Sequence, residues 1–277
     1  MATVQYLKKK LRGIRSTQKL SKAMKTAATV KYSRLSSAFS EYSEYENNCR
    51  TLYEEHSSEW TKSFPKAAEN APVCLVIIGS NKGMCGGFNA ELAAFAENKV
   101  AEHKNCVSLV CGKQAIAHFA EKGLPMSEQF VFDDVPTLAQ STALIDRIYN
   151  GLLSGEFSAV KLIFSKYENM MHQVPTIIDL FIAAGETEET DSLLFIPDKQ
   201  TVISGTLKTV ISALIFRRVL ETALGAQAAT LMTMRSAYDT ATELCDELEA
   251  EINRKRQSRV TADVLETAVE FTEETEV

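Results

Sequence analysis

The stretch "LMTMRSAYDTATELCDELEAEI", residues 231–252, places Leu231, Met234, Tyr238, Ala241, Cys245, Leu248 and Ile252 at spacings of 3, 4, 3, 4, 3 and 4. An apolar position every 3.5 residues on average keeps one stripe of a helix turned toward a partner helix, the seam of a coiled coil. Nothing nearby breaks that helix: no proline follows Pro197, and Gly205 and Gly225 are the only later glycines. The pattern predicts a helix over about 203–268, roughly 100 Å long at about 1.5 Å per residue. That is several times the usual globular helix.

A partner stands at the other end of the chain. Residues 3–60 contain no proline and one glycine, Gly13, while Ala28, Tyr32, Leu35, Phe39, Tyr42, Cys49 and Tyr53 recur at helical spacing. Glu46 alone interrupts this stripe. The helix is expected to end near Phe64-Pro65. Two long helices, each with one apolar seam, bury most surface by pairing antiparallel. Before Met24 the first helix reads as too polar for much self-burial. Beyond Ile252, "NRKRQSR" puts charge where a partner would want apolar residues. Both outer ends are therefore expected to touch something other than each other.

Between the helices the period changes. "VCLVII" (73–78), "CVSLVC" (106–111), "FVF" (130–132), "AVKLIF" (159–164) and "TIIDLFI" (176–182) read as strands, with helices over about 88–103, 113–122 and 137–153. Alternating strand and helix predicts a parallel-type sheet flanked by helices, with right-handed crossovers. A polar loop, "AAGETEETDS", and "IPDK" at 196–199 then close this Rossmann-like part. The expected organisation is a coiled-coil helix over 1–64, an α/β domain over 65–202, and a coiled-coil helix with an acidic tail over 203–277.

Composition narrows the function. The 277 residues are 45% hydrophobic and carry a net charge of −6. That balance excludes a general nucleic-acid binder but hides a polarity. Ten Lys or Arg lie between Lys8 and Arg34 with no acid among them, whereas the last twelve residues hold five Glu and no base. No aromatics interleave the basic run before Tyr32, which argues against a nucleic-acid face. Ten bases without an acid instead suit an acidic sleeve. The six cysteines are scattered without a C-x-x-C pair, which points to a reducing compartment and no metal site. The start is charged and lacks the apolar core of a signal peptide. No apolar run approaches the roughly 20 residues of a membrane-spanning helix.

The segment "GSNKGMCGGFNAEL", residues 79–92, follows a strand and opens a helix, the setting of a phosphate cradle. It fits neither G-x-G-x-x-G nor a P-loop with its Lys-Ser/Thr pair. Its glycines read as a tight corner that permits positive φ and close strand–helix approach. The four histidines show no ligand spacing, and no catalytic triad is visible.

Both ends of the chain resemble one family. "LRGIRSTQKLSKAMKTAATVKYSR" (11–34) is similar to the N-terminal signature of the gamma subunit of the F-type ATP synthase, and "NRKRQSRVTADVLE" (253–266) to its C-terminal Asn-Lys-x-Arg-Gln-x-x-Ile-Thr-x-Glu pattern. "KGMCGGFNAEL" and "FSKYENMMHQVPT" (164–176) resemble segments of its middle. The sequence departs from the family at Thr230, where an Arg is usual, at Ala226-Gln227, where a Glu-His or Glu-Gln pair is usual, at Asp263 and at Glu270-Phe271. It reads as a divergent member.

The resemblance implies a non-catalytic central-stalk rotor of a proton-translocating ATP synthase, without cofactor or metal. Its partners would be the alpha and beta subunits, the epsilon subunit and the membrane rotor ring. No nucleic acid is implied, and membrane contact would come only through the complex, at the cytoplasmic face of a bacterial plasma membrane. Matching positions assign contact with the alpha–beta hexamer to Met24, Arg256, Gln257, Thr261 and Asp263. Two other readings stay open: a coiled-coil adaptor of the vacuolar-stalk kind, and a nucleotide-binding α/β enzyme.

Overall fold

The computed structural model describes residues 4–55, 67–68, 70–180 and 198–274. The elements run α1 (Val4–Glu55), β1 (Val73–Ile78), α2 (Phe88–Glu102), β2 (Cys106–Cys111), α3 (Lys113–Lys122), β3 (Glu128–Phe130), α4 (Leu138–Leu153), β4 (Ala159–Tyr167), β5 (Gln173–Asp179) and α5 (Lys199–Glu274). Two compact units result, one formed by residues 28–232 and the other by 1–27 with 233–277.

In the larger unit the sheet has the order β3-β2-β1-β4-β5. β1 pairs in parallel with β2 and with β4, and β2 with β3. β5 corrects the expectation of a parallel sheet: it runs antiparallel to β4, with Ile163 opposite Ile177. The reason is the link between them. Residues 168–172 close a tight turn in which Glu168 and Asn169 N–H both donate to the His172 carbonyl, whereas a parallel crossover needs a dozen residues or more. The third strand also shifts from the expected 130–132 to Glu128–Phe130, and Phe132 turns inward at 7% exposure while Val131 stays outside. Of the run expected as the last strand, Phe181 and Ile182 lie outside the described residues, as do Phe64-Pro65 and the polar loop after it.

The strands read as unbroken apolar runs because both faces are covered. Alternation along β1 sends Leu75 and Ile77 to one side, where they meet Leu92 and Ala96 of α2 and Phe119 of α3. Cys74, Val76 and Ile78 point to the other side, toward Leu144 and Ile148 of α4 and Val210–Leu224 of α5. α4 starts at a capping box in which Thr137 accepts from Gln140 N–H and the Gln140 side chain accepts from Thr137 N–H, satisfying two end donors at once. α1 joins this second layer through Tyr32, Leu35, Phe39, Tyr42, Cys49 and Tyr53, the stripe read from spacing. Phe39 lies under the Arg217 guanidinium and Tyr42 meets Phe216 edge-on at 5.0 Å, so α1 and α5 run in opposite senses.

The smaller unit is a two-helix contact. Arg15 bonds Glu249 at 2.6 Å, Gln18 bonds Thr242 at 2.8 Å, and Lys25 sits 4.9 Å over the Tyr238 ring. As numbers rise on α1 they fall on α5, so the pairing is antiparallel. Leu7 and Leu11 are buried at 3% and 8% against Cys245, Leu248 and Ile252. This overturns the expectation that α1 is too polar before Met24. Leu7, Leu11, Ile14, Gln18, Ser21, Lys25 and Ala28 keep the spacing of 4 and 3 throughout. The lysines that mask this stripe, Lys8, Lys9, Lys10, Lys19 and Lys22, lie outside it, and only Lys25 falls within it.

Two glycines fix the corner between β1 and β2. Gly112 adopts φ 90°, and a Cβ there would lie 2.4 Å from the Gly79 carbonyl oxygen. Gly79 itself approaches Ala115 so closely that a Cβ would stand 2.7 Å from the Ala115 methyl. Gly112→Ala is expected to lower the unfolding free energy by about 2–4 kcal/mol, combining a strained backbone with a backbone clash. Urea unfolding of the two proteins side by side checks this, and an unchanged midpoint contradicts it.

Candidate partner-binding surface

The carboxyl edge of the sheet is the usual place for a ligand in an α/β fold. Here it is filled. Ile78, Gly79, Ser80, Phe132 and Pro136 meet Val219, Ala223, Ala226, Gln227 and Thr230 of α5 around a crevice of about 30 Å³. That volume admits a water or two, far short of the hundreds of cubic ångströms a nucleotide site encloses. The glycine-rich segment folds on itself instead. Ser80 Oγ donates to Asn89 Oδ1 at 2.7 Å, Asn89 Nδ2 donates to the Lys82 carbonyl at 2.9 Å, and Asn81 donates to the Phe132 carbonyl. Of its residues, Gly86 and Met84 have positive φ, 60° and 62°. Cys85 and Phe88 pack on Ala226. The corner is held by its own hydrogen bonds and by packing on α5.

Two of the four family departures, Ala226-Gln227 and Thr230, fall at this contact. Ala226 and Gln227 are 6% and 7% exposed, and Thr230 Oγ1 donates to the Ala226 carbonyl at 2.8 Å. A short side chain at 226 lets the loop's Cys85 and Phe88 lie against the helix. Thr230 spends its hydroxyl on its own helix.

Beside the corner, Lys31 of α1 and Lys82 both bind the Asp134 carboxylate, Lys82 at 2.5 Å. Burial alone would raise the Asp134 pKa, but the hydrogen bonds from the two ammonium groups outweigh it and hold the carboxyl below its usual value. Deeper in the same unit is a second charged group, read from sequence only as the interruption at Glu46. Glu46 and Glu221 are buried at 4% and 3% beside Arg217 and Arg218. Only the periodicity break at Glu46 could have announced it. Burial also raises the thiols of Cys111 and of Cys74, the latter to about 12, so these cysteines act as apolar packing rather than nucleophiles. Among the described residues no three His, Cys, Asp or Glu are placed to hold a metal ion.

The end of α5 has a different character. From Asn253 to Leu265 every residue but Lys255 is exposed. Arg254, Arg256 and Arg259 are followed by Val260, Val264 and Leu265, which are 54%, 61% and 61% exposed. Such apolar exposure beside cations marks a surface shaped for a partner. All of the assigned residues except Met24 lie here. Thr261 Oγ1 donates to the Gln257 carbonyl at 3.0 Å, tying two of them together one turn apart. Asp263 lies 3.9 Å from Arg259. Arg256 makes no ion pair among the described residues, leaving its five donors open. Met24 is half-buried beside the Lys25–Tyr238 contact. Arg256 is eighteen residues further along α5 than Tyr238, about 27 Å of helix. The structure therefore separates Met24 from the other four.

The architecture is an α/β domain inserted in the chain between two long helices that pair antiparallel, the second of which ends in an exposed stretch. The model of a family described as ATP synthase matches residues 3–268. Curated proteins called ATP synthase gamma chain align along nearly the whole length. That of Desulforamulus reducens is 27% identical, covering 96% of this chain and 97% of its own. That of Nautilia profundicola is 26% identical, covering 98% and 99%. Among solved structures, a chain of the Euglena gracilis mitochondrial ATP synthase superposes with a TM-score of 0.68 at 16% identity over 97% of this chain and 93% of that one. A chain of the Tetrahymena thermophila mitochondrial central stalk and c-ring gives 0.63 at 16% identity, over 79% and 99%. The chain belongs to the ATP synthase gamma-chain family.

Asp134→Asn tests the loop's ion contact. A carboxyl with a depressed folded pKa stabilises above its unfolded value, near 4, and that contribution fades as pH falls through the folded pKa. The variant is expected to be less stable at pH 7 by about 1–3 kcal/mol, as fits a lost charge-assisted bond, and to lose less stability on acidification. Unfolding midpoints between pH 3 and 7 check this, and parallel curves for the two proteins contradict it.

Proposed function

We propose that this chain is the central-stalk rotor of a proton-translocating F-type ATP synthase and is itself without catalytic activity. Family membership over residues 3–268 carries the reading. The exposed, cation-bearing end of α5 supports a partner contact there. The helix pair stands within the alpha–beta hexamer, and the α/β domain meets the epsilon subunit and the membrane ring. The complex sits on the cytoplasmic face of a bacterial plasma membrane. No helix among the described residues is long and apolar enough to cross that membrane, so attachment is through the ring.

The physical role is that of a ligand. A shaft that contacts each beta subunit differently stabilises a different conformation at each, and turning the shaft exchanges those states. Arg256 offers a fixed fork of donors suited to a carboxylate. Gln257, Thr261 and Asp263 extend that surface along the same helix end. Met24 is a second, separate contact, an apolar bearing point nearer the α/β domain along the chain.

The test is reconstitution with alpha and beta subunits. One copy is expected per hexamer, and the isolated chain should hydrolyse no ATP. Arg256→Ala combined with Gln257→Ala should weaken assembly or catalysis by about 2–4 kcal/mol if both hydrogen-bond sets are buried in the complex. Met24→Lys should leave assembly intact but reduce proton transport per ATP. A monodisperse chain with no affinity for the hexamer would favour the adaptor reading. Wild-type behaviour in both variants would remove the contact assignment.

A further inference from the structure

We propose that the buried ion network joining α1, α5 and β4 is a register lock, through which turning force passes between the helix pair and the sheet. It rests on the rotor reading. Glu221 of α5 is its centre. Its Oε1 accepts the Tyr167 backbone N–H at 3.1 Å, at the end of β4, and its Oε2 accepts from Arg218 at 2.8 Å and Arg217 at 3.2 Å. Arg218 also lies 3.8 Å from Glu46 of α1 and 5.2 Å from the Phe164 ring of β4. Arg217 stacks 3.4 Å over Phe39 of α1. A hydroxyl pair, Tyr32 with Tyr167 at 2.8 Å, adds a direct bond from α1 to β4.

Stability does not explain this group. Glu46 Oε1 and Arg217 Nε are buried without a hydrogen-bond partner, and burial lowers the Arg217 pKa to about 10 despite Glu221 beside it. Buried ion clusters of this kind are often no more stable than apolar residues of the same size. What they add is direction. An apolar helix interface can slip by one turn into a second packed arrangement. A polar group at one seam position holds a helix pair in a single register. Glu46 occupies such a position, breaking the apolar stripe of α1 four residues after Tyr42 and three before Cys49. The lock therefore spans all three elements at one level. Pulling one of them displaces the others.

The experiment replaces the pair by apolar residues, Glu46→Leu with Arg218→Met, in the complete complex. Three quantities are read: thermal melting of the chain, angular fluctuation of a bead attached to the α/β domain of surface-held complexes, and protons transported per ATP in vesicles. Melting should be unchanged or raised. The angular variance should rise and the transport per ATP should fall, each by about twofold or more, as for residues on a coupling route. Lower melting with unchanged variance and transport would overturn the proposal, as would wild-type values throughout. So would failure of the double variant to assemble where the wild type does. Failure of the wild type to bind the hexamer would instead overturn the rotor reading, and the lock with it.

Discussion

Residues 210–228 of α5 include no exposed position, and the larger unit is organised around that fact. A helix buried on every side must find cover in all directions. One direction is met by the sheet face carrying Cys74, Val76, Ile78, Leu162 and Phe164, another by α1 through Leu35, Phe39 and Tyr42, and a third by the glycine-rich corner through Cys85 and Phe88. Each large apolar side chain so buried contributes about 1.5–3 kcal/mol. Ala223, Gly225, Ala226 and Ala228 are small where the corner and β5 approach. Gly225 has Phe88 and Gln173 at 3.2 Å from where a Cβ would be. Opening the corner would surrender this packing.

The same helix changes surroundings as it continues. Between Leu231 and Ile252 burial narrows to a stripe, with Met234, Ala241, Cys245, Leu248 and Ile252 inside and charged residues outside. After Ile252 the stripe disappears. One unbroken helix thus passes from full enclosure, through a one-sided seam, to a bare end. Helical backbone satisfies its own hydrogen bonds, so it can pass through all three environments without a loop. In a rotor those three stretches correspond to the body, the shaft and the contact surface.

How much of this was legible depended on whether a signal was local. The seam of α5 and the stripe on α1 were written in spacing, and the strands in short apolar runs. The antiparallel course of β5 was legible too, in the five residues between β4 and β5, but alternation of strand and helix drew the eye to a parallel sheet. Leu7 and Leu11 were missed because the seven cations before Met24 made α1 look polar, although a helix needs only one residue in three or four to bury a stripe. Glu46 was visible as an exception and uninterpretable by itself. Its partners Arg218 and Glu221 lie over 170 residues away, and nothing in either segment names the other. The proposed contact residues near Arg256 were reached by resemblance, and the structure adds their exposure and the bond between Thr261 and Gln257. Their separation from Met24 follows from the antiparallel register of the pair, which spacing alone leaves undetermined.

The central claim is that this chain turns within a stationary hexamer. Its most direct measurement fixes the alpha–beta hexamer to a surface, attaches a visible probe to the α/β domain of this chain, and adds ATP. The account predicts continuous rotation in one sense that stops when ATP is removed. A probe that stays at a fixed angle while the same complexes hydrolyse ATP would contradict it.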